Sequence, residues 1–346
     1  MTMDISVADI EKYDKQDMLG KLKKFPMQCE EGNSYPPPRL PDRIVKKVVF
    51  CGMGGSAIAG DIINAVACEN SGVPCFVNRD YTLPLYVDRE TLAVIVSYSG
   101  NTEETLSVLE QAQKKGSSLM CISSNGEIEK IAGTKNIPYL KIPGGFPPRC
   151  AMGYLFFPCY KIMSMFKIVP ELNIRIFNLI HRWSDTLCPE SRTNIAKDIA
   201  LKFHDRVPLI YSSSRLFPAI IRWKTQIAEN SKSFAFANVF PEMNHNEIMS
   251  WRYPEWFTRK TIPVFIDSDK DHARIKLRFE ITREIVSHVN PDIVDIKTEG
   301  ESLLEEIFYL VLLGDWVSFY LAILNDSDPT EISGIDLLKK KMGGAK

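Results

Sequence analysis

The sequence predicts an α/β protein built from two successive units, each a parallel sheet covered by helices. Three observations predict it. Short strand-like runs alternate with helix-like stretches between Val45 and Ile142. A long apolar segment and two polar helices then interrupt the alternation, which restarts at Val207. The strand-like runs are almost continuously apolar, as strands buried on both faces are.

The elements follow in chain order. Residues 1–25 read as a short helical lead-in, and YPPPRLP (Tyr35 to Pro41) as a stiff, extended connector. Strands are expected at Val45–Phe50, Pro74–Val77, Leu92–Val96, Leu119–Ile122 and Ile137–Ile142, with helices opening near Ser56 and Thr102. Ala151–Lys167 reads as a buried helix, and polar helices follow around Glu171–Leu187 and Ser191–Phe203. Val207–Ser214 is a strand running into a polar turn, and Phe217–Asn230 a helix. Thr261–Asp269 and Asp292–Ile296 read as strands, His272–Val289 as the helix between them, and Ser302–Leu324 as a long apolar helix. The expected division is residues 1–165, 166–325 and a C-terminal segment 326–346. CGMGGSAIAGD corresponds in place to YSSSRLFPAI, and VIVSYSGNTEET to VFIDSDKDHAR. The halves therefore read as a degenerate repeat whose second copy has lost both glycine-rich turns. Two unrelated α/β domains are the plainer alternative.

Composition bounds the function. The 346 residues are enough for two domains with a sizeable core, and 45% apolar with 25% charged is ordinary for a globular chain. A net charge of −1 gives no reason to expect nucleic acid or an anionic membrane as partner. The N-terminus MTMDISVADIEKYD carries acids where a signal peptide needs basic residues. The longest apolar stretches, such as Ile307–Leu313, read as too short to span a bilayer. None of the eight cysteines forms C-x-x-C or lies near a histidine at zinc-finger spacing. The expectation is a cytoplasmic protein with reduced, buried thiols, no disulfide framework and no structural metal.

FCGMGGSAIAGD (Phe50 to Asp61) is a glycine-rich turn between a strand and a helix, where backbone N–H groups and the helix dipole favour an anion. G-x-x-x-x-G-K-S/T is absent, which argues against a nucleotide P-loop. Gly52 to Ala57 fits the dinucleotide pattern G-x-G-x-x-G/A, with Asp80 a slightly late candidate for the ribose. A second loop, SYSGNTEETL (Ser97 to Leu106), favours a phosphomonoester instead. It groups the hydroxyls of Ser97, Ser99 and Thr102 around Gly100 at the end of the next strand, and a pyrophosphate bridge has no use for this second cup. The substrate-phosphate candidates are Gly54, Gly55, Ser56, Ser97, Ser99 and Thr102. The structural alternative is ordinary helix capping by Ser99 or Thr102, with Glu103 or Glu104 in the first turn.

GMGGSAIAGD and VSYSGNTEETL resemble the first domain of the sugar-isomerase (SIS) fold. PPRCAMGY (Pro147 to Tyr154), AENSK (Ala228 to Lys232) and EMNHNEI (Glu242 to Ile248) add a narrower resemblance, to the archaeal-type bifunctional phosphoglucose/phosphomannose isomerases. It covers nearly the whole chain, from Gly52 to Lys339. The departures are Cys150 and Met152 beside the arginine, where smaller residues are frequent.

The resemblance implies two flavodoxin-like SIS domains in αβα sandwiches, a homodimer with a shared active site, and isomerisation without metal or other cofactor. Glucose 6-phosphate and mannose 6-phosphate would interconvert with fructose 6-phosphate through a cis-enediolate. Such a reaction needs a phosphate anchor, a ring-opening acid/base, a base for the carbon acid and a cation for the enediolate. Carried over residue by residue, Glu229 is the proton-transfer base and His245 the ring-opening residue, supplied by the partner subunit. Arg149 stabilises the enediolate. Lys339 assists at the sugar oxygens, with Lys340 and Lys341 left open as neighbours. Without the resemblance each has a plainer reading: a solvated helix-end glutamate, a surface histidine, a surface arginine and a basic helix end. A non-catalytic phosphosugar-binding regulator is the principal alternative, although the chain shows no helix-turn-helix or basic recognition segment. A glutamine-dependent isomerase would want an added glutaminase domain, and a dehydrogenase would bind dinucleotide.

Overall fold

A computed structural model describes residues 5–39 and 45–344. The first four residues of the predicted lead-in, residues 40–41 of the connector and the last two residues of the C-terminal segment lie outside the described residues. In chain order the elements are α1 (Val7–Tyr13), α2 (Met18–Lys23), α3 (Phe25–Ser34), β1 (Lys47–Cys51), α4 (Gly55–Asn70), β2 (Cys75–Asn78) and β3 (Thr91–Val96). Then come α5 (Glu103–Lys114), β4 (Ser118–Ser123), α6 (Glu127–Lys135), β5 (Tyr139–Lys141), α7 (Met152–Met165), α8 (Arg175–Leu187) and α9 (Ile195–Phe203). The rest are β6 (Val207–Ser213), α10 (Phe217–Ser231), β7 (Phe236–Phe240), α11 (Glu255–Thr258), β8 (Thr261–Asp267), α12 (Ala273–Ser287), β9 (Val294–Lys297), α13 (Leu303–Leu324) and α14 (Ser333–Gly344).

The chain divides into two compact units. One is Lys24–Arg182 with Glu301–Ile307; the other is Trp183–Gly300 and Phe308 onward, with the N-terminal stretch to Lys23. The first unit holds a five-stranded parallel sheet ordered β2-β1-β3-β4-β5. Its central strands β3 and β4 are buried along their whole length. This is the burial that their near-continuous apolar sequence demands.

The second unit holds a four-stranded parallel sheet ordered β7-β6-β8-β9. This is the order of the first four strands of the other sheet, as the repeat reading expects. Against it an aromatic cluster of Tyr211, Phe240, Trp251, Phe265 and Phe279 surrounds Met243.

Three sequence expectations change. The single lead-in helix is three helices reaching Ser34, broken where Asp14 caps α2 through the N–H groups of Met18 and Leu19. Helices α6 and α11 and strand β7 went unread; β7 (FANVF) is a sheet edge, mostly half-exposed, and lacks both apolar alternation and an apolar run. Finally, α13 is long and apolar enough to cross a bilayer, contrary to the expectation from Ile307–Leu313. That expectation overlooked how few charges interrupt the helix. Of its most apolar window 94% is buried inside the protein. Its acids find protein partners: Asp315 meets Arg222, and Glu305 accepts from the N–H of Glu301 (2.5 Å) and from Arg175 (3.3 Å).

Candidate active site

In a parallel sheet, ligands bind outside the carboxyl ends of the strands. In the first unit two loops meet there on the neighbouring strands β1 and β3. The turn after β1 places Gly54 at the N-cap of α4 with φ +51°, and Ser56 is buried in the helix's first turn. The Ser56 hydroxyl accepts from the N–H of Tyr98 (3.3 Å), tying the first loop to the second. In the second loop the hydroxyls of Ser97 and Thr102 meet at 2.9 Å, and Ser99 Oγ accepts from the Asn101 N–H at 3.3 Å. Thr102 stands at the N-cap of α5, but its side chain caps no helix N–H. Capping by Thr102 therefore does not account for its hydroxyl. Gly100 is required by shape: its φ is +68°, and a Cβ there would lie 1.7 Å from the Asn125 carbonyl oxygen.

Arg149 joins these loops within the same unit. It lies in a 3-10 turn, Pro148–Cys150, just before α7, and is 3% exposed. A Cβ on Gly55 would stand 3.1 Å from Arg149 Cα, so the arginine's backbone rests directly on the glycine-rich turn after β1. A low-dielectric position of this kind magnifies what a fixed guanidinium does to a charge forming beside it. Asp80, the ribose candidate of the dinucleotide reading, is exposed and accepts from the Tyr81 N–H (2.6 Å).

Glu229, His245 and Lys339 belong to the second unit. Glu229 is half-buried, two residues before the end of α10. A polar ladder sets that helix against α13. Arg222 donates to both carboxylate oxygens of Asp315 (3.0 and 2.6 Å), and Gln226 adds a third bond at 2.8 Å. Trp223 Nε1 donates to the Leu310 carbonyl (2.7 Å), and Asn230 and Ser231 both bond Ser318 (2.9 Å each). Beyond Glu229, Lys232 donates to the Asp328 carbonyl (2.5 Å) and Asn325 to that of Ser231 (2.9 Å). The start of the C-terminal segment is thereby stitched to the end of α10.

His245 lies in a 3-10 turn, Glu242–His245, whose neighbours in the loop are tethered. Met243 is in the aromatic cluster, and Asn244 bonds Thr282 (2.9 Å). Glu247 accepts from Tyr211 (2.7 Å) and Asn238 (2.5 Å), and burial beside that carboxylate pushes the Tyr211 hydroxyl well up. The His245 side chain is exposed and makes no hydrogen bond or ion pair with a described residue. Lys339, too, stands exposed, on α14. Among the described residues, no three of His, Cys, Asp and Glu gather as a metal-ligand group.

The second sheet fills its corresponding corner differently. The loop after β6 carries Arg215, and the loop after β8 carries Ser268 and Asp271. Asp271 has a fully buried side chain, accepts from the Ser268 N–H (3.1 Å) and pairs with Arg215 (3.7 Å).

The profile of the bacterial phospho-glucose isomerase C-terminal SIS domain family matches residues 192–342, and that of the SIS domain family matches residues 44–133. A bifunctional phosphoglucose/phosphomannose isomerase from Caldicellulosiruptor bescii is 38% identical over 87% of this chain and 91% of its own. The chain belongs to the bifunctional phosphoglucose/phosphomannose isomerase family. A D-glucosamine-6-phosphate 4-epimerase from Sulfolobus acidocaldarius is also similar, 34% identical over 68% of this chain and 73% of its own. The crystal structure of a hypothetical protein from Thermus thermophilus shares the fold, with a TM-score of 0.77 at 16% identity over 98% of this chain and 93% of that one. Gln28 and Tyr98 bond the segment that carries Arg149, and in the other unit Glu247 ties the loop that carries His245 to Tyr211 and Asn238; sequence reasoning assigned none of the three a part. Tyr98 and Glu247 stood inside motifs already quoted. Gln28, in FPMQCEEG, had no pattern to mark it.

Proposed function

We propose that this chain is an aldose–ketose isomerase that interconverts glucose 6-phosphate and mannose 6-phosphate with fructose 6-phosphate through a cis-enediolate. The observation that carries the reading is the pair of hydroxyl- and glycine-lined loops on adjacent strands with Arg149 seated on one of them. The family supports it. Gly54, Gly55, Ser56, Ser97, Ser99 and Thr102 hold the phosphate, so that binding energy remote from the reacting carbons positions them. Glu229 carries the proton between C1 and C2. Arg149 holds the enediolate charge, and no metal or other cofactor takes part. Segment 326–346 brings Lys339, or a neighbouring lysine, to the sugar oxygens.

The working form is a cytoplasmic homodimer in which His245 serves the partner's site as ring-opening acid and base. Two features support the dimer. The His245 side chain is exposed and bonded to no described residue. Around it in sequence, Phe234 (78% exposed), Met249, Tyr253 and Trp256 present large apolar side chains to solvent.

The test is fructose 6-phosphate turnover after exhaustive EDTA treatment, scoring both aldose products, beside Glu229→Gln. The expected result is both products from wild type and none from the variant, which still binds fructose 6-phosphate. Glucose 6-phosphate alone would remove the mannose half of the claim. Tight sugar-phosphate binding without turnover by folded wild type would replace the enzyme by a regulator. C4 epimerisation of glucosamine 6-phosphate in place of isomerisation would replace it by the chemistry named for the Sulfolobus relative.

A further inference from the structure

An arginine that stabilises charge forming on one oxygen works only if it is already in place, because a guanidinium that must reorganise gives back much of what it supplies. Arg149 lies in no strand or α-helix: its only regular structure is the single 3-10 turn Pro148–Cys150, between a glycine-rich loop, residues 143–147, and the first turn of α7. What fixes that turn is therefore a question for the side chains around it.

Two buried residues answer it, one on each side. Upstream, the Tyr98 hydroxyl donates to the Pro143 carbonyl (3.0 Å) and accepts from the Phe146 N–H (2.8 Å), closing both ends of the PGGF loop on one oxygen. Tyr98 is 7% exposed and lies between Ser97 and Ser99, so the same residue belongs to the phosphate loop. Downstream, the Gln28 side chain donates to the Cys150 carbonyl (2.8 Å) and accepts from the Gly153 N–H (2.7 Å). Gln28 is 2% exposed, and it can reach because α3 and α7 touch backbone to backbone: a Cβ on Gly153 would stand 2.9 Å from Cys29 N. Each clamp uses one side chain to satisfy a carbonyl and an N–H that the irregular backbone leaves over. Removing either side chain takes away one bond to a carbonyl and one from an N–H of this segment.

We infer that Tyr98 and Gln28 are positioning residues for Arg149, holding its turn against the phosphate loops so that the guanidinium is set before substrate arrives. The inference rests on the proposed role of Arg149. Tyr98 is the more informative of the two: a single hydroxyl links the arginine's loop to the phosphate cup.

The experiment measures kcat and KM for fructose 6-phosphate in Tyr98→Phe, Gln28→Met and Arg149→Ala, and in Tyr98→Phe combined with Arg149→Ala. Competitive inhibition by inorganic phosphate reads the anchor separately. Tyr98→Phe keeps the ring in its pocket, so it also serves if Gln28→Met fails to fold. The expected result is a tenfold or larger fall in kcat for Tyr98→Phe and Gln28→Met. KM and the phosphate inhibition constant should stay within threefold of wild type. Once Arg149 is already alanine, Tyr98→Phe should change kcat less than twofold, because a positioning residue has nothing left to position. A rise in KM and in the phosphate constant with kcat unchanged would overturn the inference and place Tyr98 in the anchor. So would an undiminished effect of Tyr98→Phe on the Arg149→Ala background. Wild-type kcat in Arg149→Ala would instead remove the role of the arginine, and the inference with it.

Discussion

Replacing Arg222 with methionine should be among the most damaging single changes outside the site. Arg222 and Asp315 are 2% and 5% exposed, and two N–H···O bonds of 3.0 and 2.6 Å join them between α10 and α13. Methionine fills similar space and leaves Asp315 a buried carboxylate without the guanidinium. Losing one partner of a buried pair costs about 3–5 kcal/mol. Gln226 still donates to one Asp315 oxygen at 2.8 Å, which argues for the lower end. About 3 kcal/mol is more than a hundredfold in the folding equilibrium, and at a slope of roughly 3 kcal/mol/M it moves a urea midpoint down by about 1 M. The assay is favourable, because all five tryptophans (Trp183, Trp223, Trp251, Trp256 and Trp316) lie in the unit that holds the pair. Tryptophan fluorescence through a urea titration therefore follows that unit. The double variant Arg222→Met, Asp315→Leu removes both charges but takes the acceptor from the buried Gln226 amide, so it should recover part of the loss and stand above the single variant. A single variant within about 1 kcal/mol of wild type, or a double variant as unstable as the single, would refute the reasoning.

Two further outcomes are expected. Gly100→Ala forces a Cβ into the Asn125 carbonyl at positive φ and should weaken inhibition by inorganic phosphate tenfold or more; Gly116→Ala, also at positive φ but with open space around it, should leave that constant unchanged. Mixing Glu229→Gln with His245→Gln subunits should restore about a quarter of wild-type activity, the fraction expected when subunits reassort at random and each site draws one residue from each chain. Activity that stays at zero in a verified mixed dimer would confine each site to one chain.

The sheets were legible because their physics is local. Runs such as Leu92–Val96 are apolar without a break, and both glycine-bearing loops announce the strand ends they follow. The parts that stayed hidden depend on partners remote in sequence. Gln28 is an unremarkable glutamine until α3 meets α7, 122 positions later at the Cys150 carbonyl. The Arg222–Asp315 pair looks like two surface charges until α13 buries it. Edge strand β7 borrows its extended backbone from β6, with no apolar pattern of its own to declare it. Among the candidate site residues, Ser97 and Thr102 stand out in sequence by their spacing. Glu229 and His245 could not, since a helix-end glutamate and an exposed histidine look alike wherever they occur.

The Arg215–Asp271 pair bears on how two like halves come to do different work. The first sheet's corner presents the hydroxyls proposed above to hold a phosphate; the second already holds an anion, as an aspartate carboxylate tethered by its own chain. A phosphate arriving there would meet negative charge and would have to displace a group present at enormous local concentration. Symmetry between the halves is thus broken by giving one of them a permanent internal ligand. Under the proposed function, the sheet that carries its own anion needs no phosphate, and its loops are left for the work assigned to His245.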